Sequence, residues 1–253
     1  MLLVPYDEAH VLTYHRWMQD PVCSPRFFPH FIGLADRGRQ AIQEATASEP
    51  LSLEEEYENQ RSWRASHDKL TFILCRPVED DGPGPHGIKT GEEDSSDKMV
   101  GDINFFLYPW DEDDDGGRPA SDGTETGRYC VGEVDIMIAE PSHRGQGLGK
   151  AAVLAFLHYI HRRLPSILAE YEKRGKEDTV PAATRTRLSL KQFMVKIKAA
   201  NGASLALFKS LGFQQQGGVN YFGEVKLVLG DYEPLMSTPP EGYAELAYLR
   251  GSE

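Results

Sequence analysis

Apolar positions recur along this chain with two different periods, and the switches between them mark its elements. Met1 to Tyr6 reads as a short strand. Asp7 to Met18 reads as a helix that Asp7 can cap, with Val11, Tyr14 and Met18 on one stripe at spacings of three and four. Leu51 to Trp63 predicts a second helix, in which Ser52 and Glu55 stand in capping-box positions. Leu70 to Cys75, Met99 to Tyr108 and Tyr129 to Ala139 predict strands. Gly147 to Arg163 predicts a helix, with Ala151, Leu154, Ala155, His158 and Arg162 on one stripe and Val153, Phe156, Leu157 and Ile160 nearby. Phe193 to Ile197 predicts a strand, and Asn201 to Leu211 a short helix that Gly212 ends. Val219 to Leu229 holds at least one more strand. This order predicts an α/β fold, with a single mixed sheet and helices on both faces.

The segments between these elements have a different composition. Residues 78–98 and 110–128 are acidic and rich in Gly, and both predict loops. They read as solvated rims. The run from Asp111 to Gly116 lacks the alternating ligands and closing Glu of a calcium loop, so no metal site is expected there. Residues 164–190 read as a long connection, and 230–253, with Pro239-Pro240, as a tail after a domain spanning 1–229.

Composition excludes several classes. Of the 253 residues, 40% are hydrophobic and 26% charged, which is ordinary for a globular protein with a substantial core. No apolar run is long enough for a membrane span, and the N-terminus does not read as a secretory signal. The cysteines, Cys23, Cys75 and Cys130, are odd in number and fit no disulfide or metal framework, so a reducing cytosol is the expected compartment. A formal net charge of -12 argues against nucleic acid as the main partner and is compatible with cationic amines.

The candidate chemistry lies between the strand ending near Ala139 and the helix from Gly147. Glu140 to Lys150 carries glycines at 145, 147 and 149. A helix start exposes unpaired N–H groups and a partial positive charge, which bind phosphate. Glycine lets a pyrophosphate approach the backbone. Arg144 and Lys150 can add countercharge. The stretch fails as a dinucleotide fingerprint, because Lys150 stands where the third glycine belongs. It fails as a triphosphate loop at Arg144 and Ala151. Arg144, Gly147 and Gly149 do fill Arg/Gln-x-x-Gly-x-Gly/Ala, which resembles the pyrophosphate loop of the GNAT superfamily of acetyltransferases. Downstream, Asn201 to Phe213 resembles that superfamily's Asn-x-x-Ala/Ser…Tyr/Phe-x-x-x-Gly-Phe stretch. For Asn201, helix capping and cofactor contact are compatible roles.

Longer stretches resemble one subfamily, the N-acetyltransferase-nine-like proteins. They are Leu3 to Tyr6, Tyr14 to Met18, Ala45 to Tyr57, Gly101-Asp102-Ile103-Asn104 and Gly132 to Pro141. This resemblance implies acetyl-coenzyme A as co-substrate and a protein amine as acceptor. It points to N-terminal acetylation of tubulin, although an acidic enzyme is not an obvious electrostatic match for acidic tubulin. It also implies cofactor contacts from Met137, Ile138 and Ala139 through backbone N–H groups, from the loop Arg144, Gly145, Gln146, Gly147, Leu148, Gly149 and Lys150, and from Asn201 and Phe208.

The chain departs from the subfamily in three places. It starts inside what should be a longer first strand, so the resemblance implies a natural start upstream of Met1. Val22 to Gln40 interrupts a familiar stretch, and its removal joins Asp20-Pro21 to Ala41. Because valine codons begin GT and one glutamine codon ends AG, a retained short intron is one reading. A surface insertion is the other. Third, the position where the superfamily usually has an acidic tyrosine is Phe208, which has no proton to give. Water or another tyrosine such as Tyr221 would then have to serve the leaving thiolate.

Amine acetylation also needs a base. Glu133 and Asp135 alternate onto one strand face with Met137, and the resemblance puts the base on this strand. Glu133 is the first candidate and Asp135 the second, against a reading of either as a rim carboxylate or a structural ion pair. A non-catalytic acetyl-coenzyme A-binding module and a small-amine acetyltransferase are the alternative functions.

Overall fold

Asp7 ends the first strand and starts the first helix. In the computed structural model, which describes residues 1–19, 51–78, 87–110, 128–175 and 187–250, strand β1 covers Leu2–Pro5. The Asp7 side chain accepts from the Glu8 N–H at 2.8 Å, and His10 Nδ1 accepts from the Asp7 N–H at 3.0 Å. This capping box opens a 3-10 turn that runs into helix α1, Val11–Gln19. Helix α2, Leu53–Ala65, starts at the predicted capping box, with Ser52 and Glu55 bonded reciprocally. The proposed insertion, 22–40, lies outside the described residues.

The strands follow as β2 (Lys69–Cys75), β3 (Ile88–Lys89), β4 (Met99–Pro109) and β5 (Arg128–Ile138). Helix α3 spans Leu148–Tyr171, then β6 Leu188–Lys198, helix α4 Gly202–Ser210, β7 Gln214–Val219, β8 Glu224–Leu229, helix α5 Glu233–Met236 and β9 Tyr248–Leu249. Seven strands form one sheet in the order β1-β2-β4-β5-β6-β8-β7. The β5–β6 pair is parallel and every other neighbouring pair is antiparallel. A parallel pair needs a crossover, and α3 supplies it.

Two apolar clusters hold helices to opposite faces, as the sequence predicts. On one face Val153, Phe156, Leu157 and Ile160 of α3 pack with Ile103, Phe105, Val134, Phe193 and Val195 of the sheet. Each such fully buried large side chain contributes roughly 1.5–3 kcal/mol. On the other face Val11, Tyr14, Trp17 and Trp63 of α1 and α2 meet Val4, Ile73, Met99 and Met137.

Several expectations are corrected. Of the predicted α3 stripe His158 is buried and Leu154 and Ala155 are half-buried, but Ala151 and Arg162 are exposed, and the fully buried side is Ala152, Val153, Phe156, Leu157 and Ile160. Helix α3 also runs past Pro165 into the stretch read as a connection. Proline removes one helical hydrogen bond, but Leu164, Ile167 and Leu168 beside it pack against the core. Strand β7, Gln-Gln-Gln-Gly-Gly-Val, carries no apolar alternation and is mostly exposed. Its ladder with β8 makes it a strand.

The stretch after residue 229 is also not loose. Met236 is buried, and its carbonyl is bonded to His158 Nδ1 at 2.7 Å. Strand β9 pairs in parallel with β3, a second, two-stranded sheet beside the main one. Arg250 Nε donates to Asp7 Oδ2 at 2.7 Å. Tyr248 OH donates to Asp94 Oδ2 at 2.6 Å, and His10 Nε2 lies 2.9 Å from the same oxygen. The second half of the predicted 78–98 loop is thus a folded anchor around the buried Asp94. The 110–128 segment lies outside the described residues except at its ends, Trp110 and Arg128.

Candidate active site

The parallel strands β5 and β6 do not stay together. They pair from Arg128–Leu188 to Glu133–Met194, and no pair follows. Beyond that point β5 remains with β4 while β6 remains with β8. The wedge between them opens a cavity of about 340 Å³. Val134 to Ile138 line one side, Val195 to Lys198 the other, and the glycine loop with the start of α3 closes one end.

The loop end is built for an anion. Gly145 and Gly147 have φ of +72° and +80°, a region that side chains rarely adopt. A Cβ placed on either would meet no protein atom within 4 Å, so both positions face open space. Gly147 caps α3 with no side-chain acceptor, which leaves the first-turn N–H groups without a side-chain cap. That helix is 24 residues long, and its positive end points at the loop. His143, Leu148, Gly149 and Lys150 also line the cavity.

Arg144 lines it too but has a structural task. Its Nε and Nη2 donate to the carbonyls of Ile138 and Ala139, each at 2.8 Å, tying the loop to the end of β5. Gln146 is exposed, bonds the Ser142 carbonyl at 2.7 Å, and does not line the cavity.

Opposite the loop, Asn201 caps α4 by accepting from the Ser204 N–H at 3.3 Å. It lines the cavity with Ala203, Ser204, Leu207 and Phe208. The Phe208 ring is buried edge-on against Phe213, with centroids 5.2 Å apart. On β5, Met137 and Ile138 line the cavity. Ala139 does not, because its N–H donates to the Val100 carbonyl at 2.9 Å, so the backbone contact expected from it is corrected.

The two candidate bases separate. Asp135 lines the cavity. Glu133 does not: it is 2% exposed, and its Oε2 accepts from Lys196 Nζ at 3.0 Å. Tyr221 is 97% exposed on the β7–β8 turn and does not line the cavity, so it does not replace the hydroxyl missing at Phe208. Sequence reasoning missed Lys196, Lys198 and Glu224, which line the cavity. No local motif marks them. The register Lys198–Glu224 between β6 and β8 brings them together, and their side chains pair at 3.1 Å.

Residues 1–214 match the family described as the acetyltransferase (GNAT) domain. The chain belongs to the GNAT family. Within it, the chain falls among the N-acetyltransferase 9-like proteins. It is 33% identical over 237 residues to the N-acetyltransferase 9-like protein of Schizosaccharomyces pombe, covering 90% of this chain and 92% of that one. It is 35% identical over 227 residues to the alpha/beta-tubulin-N-acetyltransferase 9 of Drosophila melanogaster (90% and 82% covered), and 33% identical over 230 residues to the human protein of that name (90% and 79%). Among solved structures, the aminoglycoside acetyltransferase AAC(6')-Ib with ribostamycin and coenzyme A superposes with a TM-score of 0.50 at 14% identity, over 90% of this chain and 92% of that one. That likeness bears on the fold.

This GNAT chain is therefore an acetyl-coenzyme A-dependent N-acetyltransferase. The residues present fit the co-substrate: open glycines, an uncapped helix start and cations at one end of the wedge suit a pyrophosphate. When bound, acetyl-coenzyme A supplies the thioester whose acetyl group is transferred. Among the described residues, no helix is long and apolar enough to cross a membrane.

Proposed function

We propose that this acetyltransferase acts on the N-terminal α-amine of a protein, with tubulin the first acceptor to test, and that Asp135 is the base. One observation carries the reading. A single wedge-shaped cavity runs from the glycine loop along the splayed strands to Asp135, so a pyrophosphate at one end and an amine at the other share one space. The names of the fly and human relatives support tubulin.

The residues divide the work. Gly145, Gly147, Leu148, Gly149 and Lys150, with Asn201, hold the cofactor, Arg144 ties their loop to β5, and Met137 and Ile138 flank the acyl arm. The acceptor arrives as an ammonium and must lose a proton before nitrogen can attack the thioester carbon. Asp135 lies on the cavity wall to take it. Glu133, buried against Lys196, fixes that cation at the cavity edge instead. With Phe208 in place of a tyrosine, the second proton, released from nitrogen as the tetrahedral adduct collapses, reaches the leaving thiolate through water.

Purified protein would be assayed with acetyl-coenzyme A and peptides copying the α- and β-tubulin N-termini, beside a lysine peptide with a blocked N-terminus and a polyamine. Asp135→Asn should lower kcat by about 10²–10⁴-fold, the usual worth of a positioned base, with unchanged acetyl-coenzyme A affinity. Glu133→Gln should cost much less. Asp135→Asn at full turnover would remove it as base. Labelling of the polyamine or the blocked lysine peptide in preference to the N-terminal peptides would overturn the acceptor.

A further inference from the structure

The β7–β8 turn carries a feature that the reaction as described does not use. Val219, Tyr221 and Phe222 are exposed there, Tyr221 almost completely. The Tyr221 and Phe222 rings meet edge to face, with centroids 5.4 Å apart. Among the described residues, the other exposed large apolar side chains are all leucines. A scattered exposed leucine is ordinary on a protein surface, whereas aromatic side chains are what protein–protein contacts concentrate.

Hydrogen bonds hold the turn in one shape. Asn220 Oδ1 accepts from the N–H groups of Phe222 and Glu224, each at 2.9 Å. The Asn220 N–H donates to the Glu224 carbonyl at 2.8 Å, and the Gly223 N–H to the Asn220 carbonyl at 2.9 Å. Lys198 Nζ donates to the Phe222 carbonyl at 2.9 Å while it pairs with Glu224. A partner therefore meets rings whose backbone is already ordered, and ordering is one of the main costs of binding. The same brace ties the rings to the reaction site, because Lys198 and Glu224 line the cavity. Three residues separate Tyr221 from Glu224, so their Cα atoms lie within about 11 Å of each other.

Charge narrows the kind of partner. Ser210 to Gly223 hold no charged side chain, in a chain that is 26% charged with a net charge of -12. Two acidic proteins repel each other over most of their surfaces. An uncharged strip ending in two exposed rings, on the outermost strand of the main sheet and its turn, is a place where an acidic protein can approach.

We propose that the β7–β8 turn is a docking surface for the folded body of an acidic acceptor protein, with Tyr221 and Phe222 seated on an apolar patch of that protein while its N-terminal amine enters the cavity. The inference rests on the reading of this enzyme as a protein N-terminal acetyltransferase and adds a second point of contact outside the cavity. The cavity receives the amine, and the turn selects the protein that carries it. A short peptide brings the amine without a folded body for the rings to meet, so the turn acts on intact acceptors alone.

The test gives the whole chain two acceptors, the intact α/β-tubulin dimer and peptides copying its N-termini. The unaltered protein should show a lower KM for the dimer than for the peptides. Tyr221→Ser combined with Phe222→Ser should raise the KM for the dimer about tenfold, a usual cost of losing an interface aromatic, at unchanged kcat. Peptide turnover and acetyl-coenzyme A affinity should stay as they were, which also shows that the variant is folded. Tyr221→Phe keeps the ring and should match the unaltered protein. Equal losses on dimer and peptides would place the rings inside the peptide site and overturn the proposal. So would a dimer KM that the double variant leaves unchanged. Added salt should not weaken binding of the dimer, because the contact is uncharged and salt screens the repulsion between acidic partners. A steep loss with salt would show that lysines carry the contact instead. Failure of the acceptor reading has its own signature, no acetylation of dimer or peptides by the unaltered protein. Binding of the dimer without turnover then judges the turn by itself: weaker binding by the double variant sustains the docking surface, and equal or absent binding removes it.

Discussion

The two ends of the cavity are made in opposite ways. At the cofactor end the shape comes from the backbone: two left-handed glycines, an open helix start and one capping asparagine, all within short contiguous stretches. At the other end it comes from side chains that the sheet collects from separate strands: Asp135 of β5, Lys196 and Lys198 of β6, and Glu224 of β8. The first end tolerates few residue types because a Cβ would stand where the ligand goes. The second depends on charge and on strand register. Contiguous backbone geometry serves a constant ligand, and an assembled charge cluster suits a variable acceptor.

The sharpest way to break this comparison is to fill the backbone end. Gly147→Val would add a side chain at φ +80° pointing into open space. Left-handed backbone costs an L-residue roughly 1–2 kcal/mol. Calorimetry should show acetyl-coenzyme A binding weakened at least tenfold, and denaturation a stability loss of about that cost. Unchanged binding would mean that the loop does not hold the pyrophosphate.

This contrast also governs what could be read from the sequence. The capping boxes at Asp7 and Ser52, the glycine loop and Asn201 are local, and each is legible from neighbouring letters. Sheet register is not. Nothing near Glu133 in sequence shows Lys196 arriving from another strand to pair with it. Asp94 and Tyr248, 154 positions apart, form one hydrogen bond that turns an apparent loop and an apparent tail into a folded anchor. Strand β7 was equally illegible because its partner, not its own pattern, makes it a strand.

A smaller effect separates two kinds of aspartate by pH. Asp94 is buried, which opposes its ionisation, but bonds from His10, Tyr248 and the Gly91 N–H outweigh this and lower its carboxyl. It stabilises the fold above the ordinary aspartate value near 3.9, and that contribution is lost as pH falls. Asp102 has the reverse sign. Burial raises its carboxyl to about 8. The unfolded chain gives up this proton first, so the contribution is present below about 3.9 and is lost as pH rises towards 8. Urea titrations at successive pH values should show Asp102→Asn gaining on the unaltered protein between pH 4 and 8, with the gap constant above. A constant gap across that whole range would show that Asp102 ionises normally inside the fold.

The smallest effect falls on Asn201, where the two kinds of construction meet in one side chain. Its Oδ1 accepts from the Ser204 N–H at 3.3 Å and it lines the cavity. Loss of an asparagine cap costs about 1 kcal/mol, and serine caps comparably. Asn201→Ala should therefore lose about 1 kcal/mol in chemical denaturation, while Asn201→Ser keeps most of it. Acetyl-coenzyme A affinity then divides cap from contact. If the asparagine only shapes the start of α4, the serine variant binds as the unaltered protein does. If its amide also touches the cofactor, serine restores stability but leaves binding a few-fold weaker, and that second pattern is the expected one. The α4 start faces the same wedge as the glycine loop, so a side chain that caps it already faces the space proposed for the cofactor.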